Sequence, residues 1–180
     1  MRSGRKRHRR AGAAAGADNV CVQIHSVPYD HPDVVAMTAA VQDFYAGLYG
    51  TPDESPVDPD QFLPPRGAFF VAYEDGAPIA MGGWRRLDRD DRGVTGDAPV
   101  EIKRMYVAEH ARRRGVGRAV IAHLERTAAA AGADWAMLET GKVQAAAVEL
   151  YRNCGYEDAD QFGYYADEDG QVCLRKRLHP

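Results

Sequence analysis

The 180-residue sequence is poor in the features that mark several large protein classes. It has three cysteines, Cys21, Cys154 and Cys173, an odd and widely spaced set. That argues against a disulfide framework and against paired-Cys zinc ligation, and it suits a reducing compartment, so a cytoplasmic location is expected. The six histidines show no metal-ligand spacing, so no metal is expected. No apolar run approaches the roughly 18 residues of a membrane helix, so no membrane partner is expected. Negative charge is missing from the start, where no acid precedes Asp18.

That start is instead basic: Arg2, Arg5, Lys6, Arg7, Arg9 and Arg10, then A-G-A-A-A-G-A. Small Ala and Gly residues make a poor apolar region for a secretory signal. We expect residues 1–19 to be a disordered basic tail. Clustered Lys/Arg binds phosphates without sequence preference, but no aromatics interleave here, so nucleic acid is not expected as a partner. Removing these six charges from the net −3 leaves −9 for the rest. The remaining residues, 20–180, fit one domain, since domains run to about 100–200 residues. Hydrophobic residues are 45% and charged residues 27% of the chain, which allows a real core.

One stretch organises the chain: Val100–Leu124, V-E-I-K-R-M-Y-V-A-E-H-A-R-R-R-G-V-G-R-A-V-I-A-H-L. It opens as a strand, in which Ile102, Arg104 and Tyr106 alternate with Lys103, Met105 and Val107. An Arg- and Gly-rich turn follows. A helix then carries Val116, Val120, Ile121, Leu124 and Ala128 at helical spacing. A strand feeding a Gly-bearing turn and a helix builds an anion site, because the first helical N–H groups lack internal partners and the helix dipole adds positive charge. Arg112, Arg113, Arg114 and Arg118 add side-chain charge, so the stretch reads as a pyrophosphate cradle. The ATP-type pattern G-x-x-x-x-G-K-S/T is absent. The dinucleotide pattern G-x-G-x-x-G also fails, since Gly115 and Gly117 are followed by Ala119 and Val120.

What does fit is R-x-x-G-x-G, formed by Arg112, Gly115 and Gly117. With E-I-K-R-M-Y-V before it, and L-E-T-G and A-V-E-L-Y-R-N-C-G-Y after it, the pattern resembles the GCN5-related N-acetyltransferase (GNAT) superfamily. The resemblance implies a GNAT-like α/β fold of about seven strands. An antiparallel N-terminal meander and a parallel central pair would be flanked by about four helices. It also implies acetyl-CoA as the acyl donor and direct transfer to an amine in a ternary complex.

The rest of the chain can accommodate that fold. Val20–Val27 alternates like a first strand ended by Pro28, and His31-Pro32-Asp33 opens an apolar-faced helix that Gly50 and Pro52 stop. An acidic loop follows, with a short helix near Asp58–Leu63. Residues 68–73 and 77–87 read as strands around the hairpin signal Glu74-Asp75-Gly76, and Gly82-Gly83 suggests a bulge or close packing. Residues 135–140 form a strand parallel to the one before it. Gln144–Asn153 form a helix, Tyr156–Gly170 an acidic, aromatic loop or hairpin, and Val172–Leu178 a closing strand.

Amide formation from a thioester needs the donor anchored, its carbonyl polarised, an ammonium deprotonated and the thiolate given a proton. For donor binding we single out Arg112, Arg113, Arg114, Gly115, Val116, Gly117 and Arg118. The resemblance adds a strand bulge near Met105 and Tyr106, with main-chain contacts from Met105, Tyr106 and Val107. It also adds Gln144, where many relatives have Asn. By the same resemblance, Glu101 is the general base and Tyr151 the acid that meets the thiolate. A Glu101 paired with Lys103 or Arg104 is the structural alternative, and Glu139 is the rival carboxylate. Two acidic rims, Asp53, Glu54, Asp58 and Asp60 on one side and Glu157, Asp158, Asp160, Asp167, Glu168 and Asp169 on the other, suggest a small cationic amine or a peptide amine. The alternative is a non-catalytic acyl-CoA-binding regulatory module. A homodimer is left open as an assembly.

Overall fold

The computed structural model describes residues 22–179. The expected disordered tail lies outside those residues, as does the start of the expected first strand at Val20. Ten elements follow in order: β1 (Gln23–Ser26), α1 (Pro32–Tyr49), β2 (Gly67–Glu74), β3 (Ala77–Arg86), β4 (Pro99–Val107), α2 (Val116–Ala130), β5 (Trp135–Gly141), α3 (Ala145–Asn153), β6 (Glu157–Asp158) and β7 (Gln171–Arg177). Two short 3-10 helices, Pro59–Phe62 and Glu109–Ala111, join the three α-helices among the described residues. The first of them takes the place of the fourth helix, inside the expected 58–63 range.

The seven strands form one sheet in the order β1-β2-β3-β4-β5-β7-β6. Every described pairing is antiparallel except β4 with β5. The β2–β3 turn has Asp75 and Gly76 at φ 50° and 79°, the left-handed pair that a two-residue hairpin requires. Helix α1 starts on His31, whose ring Nδ1 accepts from the Asp33 N–H, with Pro32 in the first turn. It stops at a left-handed Gly50 whose N–H reaches the Ala46 carbonyl.

Helices α2 and α3 cover one face of the sheet. Val116, Val120, Ile121, Leu124 and Ala128 of α2 are all buried there, beside Ile102, Leu138, Tyr151 and Leu174. Helix α1 and the 59–62 helix cover the other face, where Val34, Met37 and Val41 pack on Phe62, Phe69, Val71 and Met81. Only part of the broad apolar stripe of α1 is used, since Val35, Phe44 and Leu48 remain exposed.

Strand β4 departs from simple alternation. In its pairing with β3, Met81 faces Tyr106 and Gly83 faces Lys103, so Arg104 and Met105 together oppose Gly82. Two residues against one is a β-bulge. Arg104 adopts φ 57°, a left-handed conformation that non-glycine residues rarely take. The bulge lies one residue earlier than the resemblance placed it. It also corrects the expected faces. Ile102, Met105 and Val107 pack toward α2, whereas Lys103 turns to Glu101 and Tyr106 joins the α1 side. Gly82 makes room for this, because a Cβ there would lie 2.5 Å from the Met105 sulfur.

Gly83 has the opposite role, on the α1 face. A Cβ there would collide with the buried Phe69 ring and sit 2.9 Å from the Ala68 carbonyl. Gly83→Ala is therefore expected to cost about 1–3 kcal/mol of stability through overpacking. The melting temperature should fall by about 2–4 °C for each kcal/mol in a chain of this size. A wild-type melting curve for the variant would show that this face yields more readily than its packing implies.

Candidate functional site

The turn from β4 to α2 contains two left-handed residues, Arg113 at φ 60° and Gly115 at φ 82°. Gly115 caps α2 with no side-chain hydrogen bond. The first backbone N–H groups of the helix, from Val116, Gly117 and Arg118, therefore point outward without helical partners. Gly117 lets α2 approach α3, since a Cβ there would lie 3.0 Å from Leu150. Arg113 and Arg118 are exposed beside this helix end. The other two arginines are engaged elsewhere. Arg112 donates from Nε to the Val107 carbonyl at 3.0 Å and lies 5.5 Å from the Phe44 ring centroid, a cation–π distance. Arg114 makes a two-pronged pair with Glu74.

The parallel ladder between β4 and β5 ends at Glu101 and Met137, although β4 runs on to Val107 and β5 to Gly141. Beyond that point the strands no longer pair, and the sheet has an opening. A cavity of about 230 Å3 occupies it, lined by Tyr45, Glu101, Lys103, Glu139, Tyr151 and Tyr165 among others. Side chains from opposite faces of the sheet meet there. Tyr151 comes from α3, while Tyr45 comes from α1.

On the α1 face, charges alternate across the strands. Arg85 and Glu101 are directly opposed in register. The buried Glu101 carboxylate takes two donors from Arg85, at 2.8 and 2.7 Å, on one oxygen and Lys103 Nζ at 2.9 Å on the other. Arg85 also donates to Gln61 at 2.6 Å. Glu101 is thus paired with Arg85 as well as Lys103, and not with Arg104. Glu139 stands apart, and its Oε1 is buried with no hydrogen-bond partner. Burial first, and then the nearby Glu101 charge, push its carboxyl up to about 7.

The Tyr151 ring is buried, and burial, followed by Tyr45, raises its phenol well above the ordinary value. No described hydrogen bond occupies its hydroxyl. Gln144 is used within the protein, where its side-chain N–H donates to the Tyr49 hydroxyl at 2.8 Å. Over the α1 side, the loop after α1 is tied down. Arg104 pairs with Asp53 and donates to the Ser55 carbonyl at 3.1 Å, and Tyr165 reaches the same loop from the far end of the chain. Asp53 keeps its carboxyl below the usual range: desolvation opposes that, but Arg104 and the Ser55 and Tyr165 hydrogen bonds outweigh it.

A family model described as the acetyltransferase (GNAT) family matches residues 35–156. The chain belongs to the GNAT acetyltransferase family. An IAA acetyltransferase from Azospirillum brasilense is 32% identical over 147 residues, which is 81% of this chain and 92% of that protein. A solved Klebsiella pneumoniae structure shares the fold at a TM-score of 0.72 with 23% identity, covering 89% of this chain and all of its own. A GNAT acetyltransferase from Elizabethkingia anophelis, solved with acetyl-CoA bound, has a TM-score of 0.62 with 18% identity over 87% of this chain and 98% of its own.

In this GNAT chain, Glu101, Met105, Gln144 and Tyr151 line one cavity, together with the rival Glu139. The cradle residues 112–118 lie outside that lining, at the adjoining helix start. Sequence reasoning missed Arg85 and the Asp53–Arg104–Tyr165 cluster as site residues. Arg85 left no usable signal, because the long 87–98 connection does not fix the register that sets it opposite Glu101. Several rim acids are neutralised by partners: Asp58 by Arg66, Glu157 by Arg175, Asp158 by Arg152 and Asp167 by Arg92. Among the described residues, no group of His, Cys, Asp and Glu is placed to hold a metal, and no helix is long and apolar enough to cross a membrane.

Glu139 also predicts a pH effect on stability. Its pKa rises from 4.5 to about 7 on folding, so the fold favours the protonated form. That stabilisation is fully present below about pH 4.5 and is lost as pH rises through 7. Glu139→Gln is expected to flatten this decline, measured as the difference between the variant and wild-type unfolding free energies across the window. Parallel curves for the two proteins would show that Glu139 titrates as it does in the unfolded chain.

Proposed function

We propose that the protein transfers an acetyl group from acetyl-CoA to a primary amine, by direct attack within a ternary complex. The observation that carries this reading is the opening between β4 and β5, which brings Glu139 from the sheet and Tyr151 from α3 into one cavity. Family membership supports acetyl transfer. The acetyl-CoA bound to the Elizabethkingia relative supports the donor. The catalytic unit is assigned to residues 20–180, with the basic residues 1–19 outside it.

Acetyl-CoA would supply an acetyl group already activated as a thioester. The residues present fit such a donor. The unpartnered N–H groups of Val116, Gly117 and Arg118, with the Arg113 and Arg118 side chains, suit a pyrophosphate. Gly115 shapes that turn through its positive φ. Arg112 and Arg114 flank the same turn and could join only by leaving Val107 and Glu74. Beyond Glu101 the edge of β4 that runs through Met105, Tyr106 and Val107 has no β5 partner and suits an amide-bearing arm, with the Val107 carbonyl joining once Arg112 releases it. Gln144 borders the same opening and can donate to it by releasing Tyr49.

Glu139 is the base in this reading. A carboxylate near 7 is about half ionised at neutral pH and matches the strength that proton removal from an ammonium favours. Glu101 is the weaker candidate, because two cations already occupy it. Its role is to hold Lys103 and Arg85 and to raise Glu139 by like charge. Tyr151 stays protonated at neutral pH and can donate to the departing sulfur. A thiol ordinarily titrates near about 8.5, below this phenol, so full proton transfer is uphill. Tyr151 thus acts mainly as a hydrogen-bond donor to the developing thiolate.

Calorimetry with acetyl-CoA, with thiol release measured over a panel of amines, tests the whole reading. Binding with no turnover on any amine would favour the acyl-CoA-binding module. Tyr151→Phe is expected to lower kcat about ten- to hundredfold, less than the ~10²–10⁴ of a full general acid, with the acetyl-CoA Kd within about twofold. Turnover equal to wild type would remove Tyr151 from the mechanism. The wild-type kcat/KM should climb with pH toward about 7 as Glu139 ionises, and Glu139→Gln should lose that limb. A limb that persists in the variant assigns the base elsewhere.

A further inference from the structure

Two irregular segments meet over the α1 side of the cavity. One is the loop after α1, from which Thr51, Pro52, Asp53 and Ser55 line the space. The other is the β6–β7 connection, which contributes Tyr165 and Glu168. The first has no strand pairing to hold it. Its N-terminal part is fastened to α1, where Gln42 accepts from the Asp53 N–H at 2.8 Å and donates to the Asp53 carbonyl at 3.2 Å. Arg104, on the β4 bulge, holds Asp53 and the Ser55 carbonyl.

The tie across to the second segment is made by one hydroxyl. Tyr165 Oη donates to Asp53 Oδ1 at 2.8 Å and accepts from the Glu54 and Ser55 N–H groups, each at 3.0 Å. Its ring stands edge-to-face on Tyr164 at 4.8 Å, which fixes its direction. Three hydrogen bonds on one atom thus join segments 110 residues apart. The cavity volume of about 230 Å3 lies below the roughly 300–1,000 Å3 of pockets that take drug-sized ligands. Part of it must also admit the acetyl group.

The geometry points to Tyr165 as a specificity-determining residue that bolts the 51–55 loop across the acceptor cavity and restricts the acceptor to a small free amine, excluding lysines of folded proteins. This rests on the acetyltransferase reading above. Tyr165 is a positioning residue: it sets the width of the space in which an amine reaches Glu139 and does not touch the acetyl group. Without the hydroxyl, the loop keeps Gln42 and Arg104 but loses its tie to the β6–β7 connection. The space then widens on the α1 side only, away from the donor cradle.

The test compares the full chain with Tyr165→Phe, which keeps the ring and removes the three hydrogen bonds. Tyr165→Leu serves as a second variant if the first is unstable. Hydrogen exchange should accelerate about tenfold or more at the Glu54 amide, and less at Ser55, whose N–H also donates to Asp53 Oδ1 at 2.9 Å, while α2 and the central strands keep their protection. In kinetics, kcat/KM for a bulky amine, a lysine within a short peptide, should rise about tenfold relative to that for a small alkyl amine. The change should lie in the amine KM, with acetyl-CoA affinity unaltered. Unchanged exchange at the Glu54 amide overturns the bolt. An unchanged selectivity ratio, or efficient wild-type acetylation of lysines on a folded protein, overturns the size limit. A wild type that acetylates no amine overturns the functional reading and the size limit with it, while the exchange result still decides the bolt.

Discussion

The short parallel ladder between β4 and β5 is the constraint on which the site depends. Only Pro99, Val100 and Glu101 pair with β5 before the strands part. The left-handed turn of Arg104 then shifts the remainder of β4 by one residue against β3. A non-glycine residue in that conformation costs on the order of 1–3 kcal/mol. Arg104 offsets the cost with its own side chain. It makes charge-assisted bonds to Asp53 and the Ser55 carbonyl, each on the order of 1.5–3 kcal/mol. The bulge therefore persists because its side chain has a destination, and that destination is the loop roofing the cavity. One residue opens the sheet and also covers the opening.

Charge within the cavity is arranged to leave one carboxylate, Glu139, with a buried and unpartnered oxygen. Arg85, Lys103 and Arg104 are all buried or nearly so, and each has an acid partner, Glu101 or Asp53. Leaving any of these cations uncompensated would cost several kcal/mol, so Glu101 and Asp53 are structurally committed. Glu139 has no such partner, and burial governs its titration. The same burial keeps Tyr151 protonated. A group that can take a proton and a group that can donate one are thereby set in a single space by desolvation, with the ion pairs holding the frame around them.

This division explains how far the sequence was readable. Helix α2 was legible to the residue, because its buried positions repeat at helical spacing and nothing interrupts them. The antiparallel meander and the parallel β4–β5 pair followed from short connections and turn chemistry, whereas the place of β7 between β5 and β6 did not. The faces of β4 beyond Lys103 were not legible, since a bulge moves the alternation by one without leaving a mark in the letters. The Glu101–Arg85 pair depends on cross-strand register. The Tyr165–Asp53 contact depends on two loops whose meeting no local pattern encodes. All four arginines of the turn looked available in sequence, but the Val107 carbonyl just before the turn and Glu74 on β2 engage Arg112 and Arg114.

The acidic surface carries less of the acceptor choice than its formal charge implies. Of the rim acids, Asp53, Asp58, Glu157, Asp158 and Asp167 each face an arginine, so much of their field is cancelled locally. Glu54, Asp60, Asp160, Glu168 and Asp169 have no ion pair among the described residues, and of these five only Glu168 lines the cavity. One exposed charge in water contributes on the order of 1 kcal/mol or less and weakens further with salt. On the proposed amine-acetylating reading the cavity walls would discriminate more strongly, because an acceptor that does not fit must displace packed side chains or break the three bonds of Tyr165. On the same reading, selection at this site would follow from shape and from the proton affinity of Glu139, with long-range attraction as a minor aid to encounter.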